Sequence, residues 1–191
     1  MLRAMPPSTP PSTPPSTPPT VRLLTPADAE AYWHLRLEML EREARAFGTS
    51  ADEHRGTTAA DAVARLSGAG SWTVGAFVGG AAGDAPGGRL RGAATLVREP
   101  RRKTRHKATV AGVYVGAELR GRGVGRALLS ALVAHARTVP GVERLTLAVA
   151  ATQPAAHALY RALGFTEWGR EPAALLVDGE YIDEHHLALA L

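Results

Sequence analysis

From residue 21 onward the apolar residues recur with two periods, near two and near 3.6, and the switches between them mark the elements. Val21-Arg22-Leu23-Leu24-Thr25 alternates and predicts a first strand. Thr25-Pro26 then opens a helix, with threonine as cap and proline at the first helical position. Tyr32, Leu35, Met39 and Leu40 follow at steps of three and four, so this helix is predicted to run to about Phe47, with Gly48 ending it. A shorter helix is predicted over Thr58 to Leu66, with Ala62, Val63 and Leu66 facing inward. Trp72 to Val78 alternates as a strand does. Gly79 to Gly88 reads as a loop, Arg89 to Arg98 as a second strand of a hairpin and Lys107 to Val115 as a third.

The second half has a different grammar. Gly121 to Gly125 is a glycine-rich turn, and Arg126 to Thr138 is a helix. Its apolar face is Leu128, Leu129, Leu132, Val133 and Ala136, while Arg126, Ser130 and Arg137 fall opposite. Arg144 to Ala150 alternates as a strand, with Leu145, Leu147 and Val149 on one side. Thr152 is the predicted cap of a helix opened by Pro154 and closed by Gly164. Strands near Thr166–Val177 and Glu180–Leu189 flank Asp178-Gly179, a two-residue hairpin signal. The predicted order is β α α β β β α β α β β. It describes an α/β (α+β) fold: a mixed, mostly antiparallel twisted sheet of about seven strands with about four flanking helices. The strand–helix–strand run from Lys107 to Ala150 supplies one parallel pair at its centre.

Composition trims this picture at one end. Eight of the 14 prolines lie between Pro6 and Pro19, in a PPST repeat with no large apolar side chain. Residues 1–20 are therefore expected to be a disordered, polyproline-II-rich tail, and residues 21–191 one domain. Cysteine is absent, which excludes disulfides, zinc–thiolate sites, iron–sulfur clusters and a cysteine nucleophile. No apolar run is long enough to cross a membrane, and no apolar segment follows Arg3 as in a secretory signal. A cytoplasmic location is the expectation. The formal charge is +4, and six of the 22 basic residues lie between Arg98 and Lys107. That run lacks interleaved aromatic residues, so it reads as a solvated loop, and nucleic acid is not an expected partner.

Leu119-Arg120-Gly121-Arg122-Gly123-Val124-Gly125-Arg126 carries the chemistry. It joins a strand to a helix. Alternating glycines allow a ligand close to the backbone, the helix start offers free N–H groups and partial positive charge, and three arginines add full charges. The segment reads as an anion site. It is neither a dinucleotide fingerprint, since Arg126 stands where the third glycine is required, nor a P-loop, since no GxxxxGK[ST] occurs.

Arg120-x-x-Gly123-x-Gly125, after a strand ending Val113-Tyr114-Val115, resembles the acetyl-CoA signature of the GNAT superfamily, the GCN5-related N-acetyltransferases. Gln153-x-x-Ala156-x-x-Leu159-Tyr160-x-x-x-Gly164-Phe165 is similar to the family's second motif, with Gln153 where the family usually has asparagine. The resemblance spans about residues 21–191. It implies the GNAT acyl-CoA N-acyltransferase fold and acetyl-CoA as co-substrate. The backbone of Val113, Tyr114 and Val115 would pair with the pantetheine arm. The amides of Arg120, Gly121, Arg122, Gly123, Val124, Gly125 and Arg126 would hold the pyrophosphate. Gln153 would take the asparagine's place at the cofactor, and Tyr160 would protonate the departing thiolate. By periodicity alone, Tyr160 is a core-facing residue on the stripe Ala156, Leu159, Tyr160, Leu163.

With no cysteine, direct attack of a bound amine on the thioester is the expected mechanism. A small-molecule amine is the leading acceptor. A protein N-terminus or lysine, or CoA binding without catalysis, is the alternative, and a homodimer is compatible with the sequence. The base that takes the amine's proton is not evident. Glu118, Glu38, Glu41, Asp52, Glu53 and His54 read as ordinary surface residues. His185 and His186 are adjacent on a strand and point to opposite faces, so they are poor joint ligands; with no third ligand in sight, no metal is expected. A Ser-His-Asp hydrolase would want a G-x-S-x-G elbow, which is missing.

Overall fold

A computed structural model describes residues 18–79 and 88–191. The proposed tail up to residue 17 and the loop between Gly79 and Gly88 lie outside the described residues. Seven strands form one sheet: β1 Thr20–Leu23, β2 Ser71–Val78, β3 Arg89–Arg98, β4 Lys107–Val115, β5 Arg144–Ala150, β6 Thr166–Val177 and β7 Glu180–Ala190, in the spatial order β1-β2-β3-β4-β5-β7-β6. All neighbours are antiparallel except β4 and β5. The five helices are α1 Ala29–Arg42, α2 Ala51–Arg55, α3 Ala59–Ser67, α4 Val124–Thr138 and α5 Pro154–Ala162. The mixed, mostly antiparallel sheet with its parallel centre is as the alternation predicts.

Two clusters of buried side chains hold the layers. Leu128, Leu129, Leu132 and Ala136 of α4 pack with Leu96, Leu145 and Leu187 from the sheet. Tyr32, Leu35, Met39 and Leu40 of α1 pack with Phe77, Leu90, Ala93 and Tyr114. The sheet therefore carries a helix layer on each face, and β4 contributes to both.

The differences from expectation are local. The first helix does not reach Phe47: α1 stops at Arg42, Glu43 leaves the helical region (φ −127°, ψ 46°), and a single 3₁₀ turn covers Ala44–Ala46. An additional short helix, α2, is set by a capping box in which Ser50 Oγ accepts from Glu53 N and Glu53 returns a bond to Ser50 N. In α3 Val63 is 40% exposed, not inward; Ala62 makes the buried contact. The cap of α5 is Gln153, not Thr152, whose hydroxyl instead donates to Arg45 O at 3.3 Å. The β6–β7 turn is as predicted, with positive φ at both Asp178 (50°) and Gly179 (81°).

Candidate active site

The central parallel pair is short. β4 and β5 are in register only over Lys107–Thr109 and Arg144–Thr146. Beyond that point no pairing joins them, and the ends of both strands, Val115 and Ala150, lie past the junction. The cause is visible in β4. Between the pairs Ala93↔Tyr114 and Thr95↔Ala111 it contains one residue more than β3 does, and Gly112 there has φ 59°. Such a bulge bends the strand and raises its twist, turning its second half from β5. The backbone of Val113, Tyr114 and Val115 borders this opening.

The glycine turn follows directly. Gly121 and Gly123 have φ 73° and 77°, in the left-handed region that favours glycine. Nothing lies within 4 Å of where a Cβ would project at either. Gly123 caps α4. Among the described residues, the N–H groups of residues 121–126 make no hydrogen bond, the first helical one being Ala127 N to Gly123 O. Such donors at the start of a 15-residue helix are suited to an anion.

The arginines differ. Arg120 is turned back: its Nε donates to Val115 O at 3.0 Å and its Nη2 to Glu43 at 2.6 Å. Part of the charge expected for the anion is thus spent pinning the turn to β4 and the end of α1. Arg122 and Arg126 are exposed and make no ion pair among the described residues.

The third segment closes the group. A Cβ on Gly125 would lie 3.1 Å from Leu159 Cδ2 and 3.8 Å from Val115 Cγ2, so the first turn of α4, the end of β4 and α5 meet at that glycine. Tyr160 is the next residue along α5. It is 6% exposed and its ring meets Phe165 edge-on at 6.0 Å. Its Oη has no partner among the described residues, yet it is not sealed off; there the fully enclosed side-chain atom without a partner is His135 Nε2. Burial pushes the phenol up to about 12, so it holds its proton across the physiological range. Gln153 begins α5 at the end of β5, its N–H donating to Ala150 O at 2.9 Å, and its side chain makes no capping bond.

The end of β4, the first turn of α4 and α5 therefore come together at Gly125, with Tyr160 the neighbour of Leu159 on α5, while the Tyr114 side chain is buried against α1. The acidic residues do not form a free base there. Glu118 is ion-paired with Arg91, which holds its carboxyl below the ordinary range. Glu38 accepts from Tyr114 Oη at 3.0 Å and Arg91 Nη1 at 2.9 Å. Desolvation, then the Glu38 charge, pushes the Tyr114 phenol up to about 12. Glu41 and Asp52 pair with Arg55. His54 is not a surface residue: it is buried, bonded to Trp33 O at 2.9 Å and stacked on Trp33. The Glu38–Arg91–Glu118–Tyr114 network spans four elements, and no local pattern announces it.

Comparison with known proteins bears on the family and the fold. The sequence model of the Acetyltransferase (GNAT) family matches residues 36–165. No curated protein matches the chain by sequence. Among solved structures, a GNAT-family acetyltransferase from Streptococcus pneumoniae superposes with a TM-score of 0.76 at 23% identity, covering 91% of this chain and 99% of that one. The Salmonella typhimurium protein yncA, solved with its cofactor acetyl-CoA, gives 0.76 at 22% over 92% and 95%. A phosphinothricin acetyltransferase from Sinorhizobium meliloti, in complex with acetyl-CoA, gives 0.71 at 26% over 92% and 89%. With that family model matching about two thirds of its length, the chain belongs to the GNAT acetyltransferase family.

Proposed function

We propose that the chain transfers the acetyl group of acetyl-CoA to a primary amine of a small molecule, by direct attack within a ternary complex. The observation that carries the reading is the run of six free N–H groups, 121–126, beside the end of β4 that the bulge turns from β5. The amides of Arg120 to Arg126 hold the pyrophosphate, with Arg122 and Arg126 as the free cations. Val113 to Val115 pair with the pantetheine arm as a strand would, and Gln153 offers its amide from the far rim. The bound acetyl-CoA supplies an activated acyl group. Backbone donors of β4 polarise its carbonyl, and Tyr160 gives a proton to the sulfur that leaves. The small-molecule acceptor is supported by the likeness to the phosphinothricin acetyltransferase, which at 26% is more similar in sequence than the yncA structure at 22%.

An acceptor panel tests this. Thiol release from acetyl-CoA is followed with amino acids, polyamines and amino-sugar compounds in one arm and with peptides bearing free N-termini or lysines in the other. Turnover confined to the first arm is expected. Turnover confined to peptides makes the acceptor a protein. CoA binding without thiol release in either arm makes the chain a binding module.

A further inference from the structure

Three side chains from three elements meet where α5 faces the β6–β7 ribbon. His157 lies in the first turns of α5, Glu167 near the start of β6, and His185 on β7 opposite Val149 of β5. Glu167 bridges the imidazoles: Oε2 is 3.1 Å from His157 Nε2 and Oε1 is 3.0 Å from His185 Nδ1. The rings lie 5.0 Å apart, centroid to centroid. All three ligand atoms fall within 4.8 Å of one another.

We propose that His157, Glu167 and His185 form a site for a divalent transition-metal cation of the Zn²⁺ type. Two imidazoles and one carboxylate are a ligand set suited to such ions. With bonds of about 2.0–2.1 Å, tetrahedral ligands stand about 3.3 Å apart; each imidazole nitrogen is already near that distance from one Glu167 oxygen, a different oxygen for each, and side-chain rotation closes the remaining separation, which lies within 4.8 Å. The cation takes the place of the protons now shared between imidazole and carboxylate. The side chains are 24%, 31% and 25% exposed, which leaves one side open for entry and for a water as fourth ligand. The elements are held in place independently of the cation. β6 and β7 are paired through the cluster, at Glu167↔Leu187 and Arg170↔His185, and α5 is anchored by buried Tyr160. Adjacent His186 takes no part: it faces the other way and bonds Glu171 at 3.0 Å. The third ligand that the chain near His185 lacks is thus supplied by the fold. A cation here ties α5, which begins at Gln153 and carries Tyr160, to the β6–β7 ribbon.

The test uses full-length, untagged protein stripped with a chelator and then dialysed. Calorimetric titration with ZnCl₂ is expected to show one ion per chain. At a hundredfold excess over Kd the melting temperature should rise by about 5–10 °C, and MgCl₂ should produce no shift, since Mg²⁺ prefers oxygen ligands. His157→Gln and His185→Gln should each abolish the Zn²⁺ shift while melting near wild type without metal. His186→Gln should keep it, and Glu167→Gln serves if either histidine variant fails to fold. No Zn²⁺ heat and no shift in wild type, or a shift that survives both histidine substitutions, would overturn the site. The readout is cation binding, so the result is independent of the acetyl acceptor.

Discussion

Tyr160 decides between two readings that periodicity alone leaves standing. A core tyrosine earns its place by packing and by a buried hydrogen bond. This one packs, but its hydroxyl bonds nothing among the described residues. Tyr160→Phe is therefore expected to change stability by no more than about 0.5 kcal/mol. General acid catalysis typically contributes about 10²–10⁴-fold, and a thiolate leaves moderately well unaided. The substitution should therefore lower kcat about a hundredfold or somewhat less, with CoA affinity unchanged. Measuring kcat, CoA affinity and melting on this one variant checks all three, and turnover within twofold of wild type, on an acceptor for which chemistry is rate-limiting, removes Tyr160 from the reaction. Sequence could place this residue on α5 but could not say where its hydroxyl went, because that depends on side chains distant in the chain.

At the scale of elements, the join between β1 and α1 shows how one carboxylate organises a turn. Asp28 accepts both Arg22 Nη1 and Nη2, at 2.8 and 2.7 Å, and the backbone and hydroxyl of Thr25 at 2.8 and 3.0 Å. The guanidinium bonds chiefly hold its carboxyl at about 2, against burial that opposes them. A folded pKa below the unfolded value stabilises the protein above the unfolded pKa, and the contribution disappears as pH falls through the folded one. The lowering corresponds to about 2 kcal/mol at most, and the 39% exposure of Arg22 reduces it to about 1 kcal/mol. The stability gap between wild type and Asp28→Asn should therefore narrow by about 1 kcal/mol between pH 5 and pH 2, read from denaturant melts of both. A gap constant over that range would show that the pair contributes nothing. Elements like these were legible because their signals are local: proline at the start of a helix, alternation in β3, Asp-Gly between β6 and β7. The break at Glu43 was not, because Glu43 there binds Arg120, 77 residues away. Nor was the bulge at Gly112, which is defined only by the pairing of β4 with β3. It carried one local sign, a glycine inside a strand.

For the whole molecule, Thr20, the last residue expected of the tail, already pairs with Phe77 in β1. Deleting residues 1–17 should leave melting within a degree or two and turnover unchanged, by thermal denaturation and by the thiol assay; a larger loss would mean the PPST repeat docks on the domain. The sheet, opened by its bulge, sets six N–H donors beside the end of β4 that no longer pairs with β5. A Cβ at Gly123 would meet no atom within 4 Å, so the effect of valine there comes chiefly through the backbone. A φ of 77° costs an L-residue roughly 1–2 kcal/mol and more for a β-branched one, so the turn rearranges while the core stays. The most direct test is a calorimetric titration of CoA into wild type and Gly123→Val. One site per chain in wild type, weakened at least tenfold or about 1.4 kcal/mol in the variant, is the predicted result. Undiminished affinity in Gly123→Val, or no binding to wild type, would contradict it.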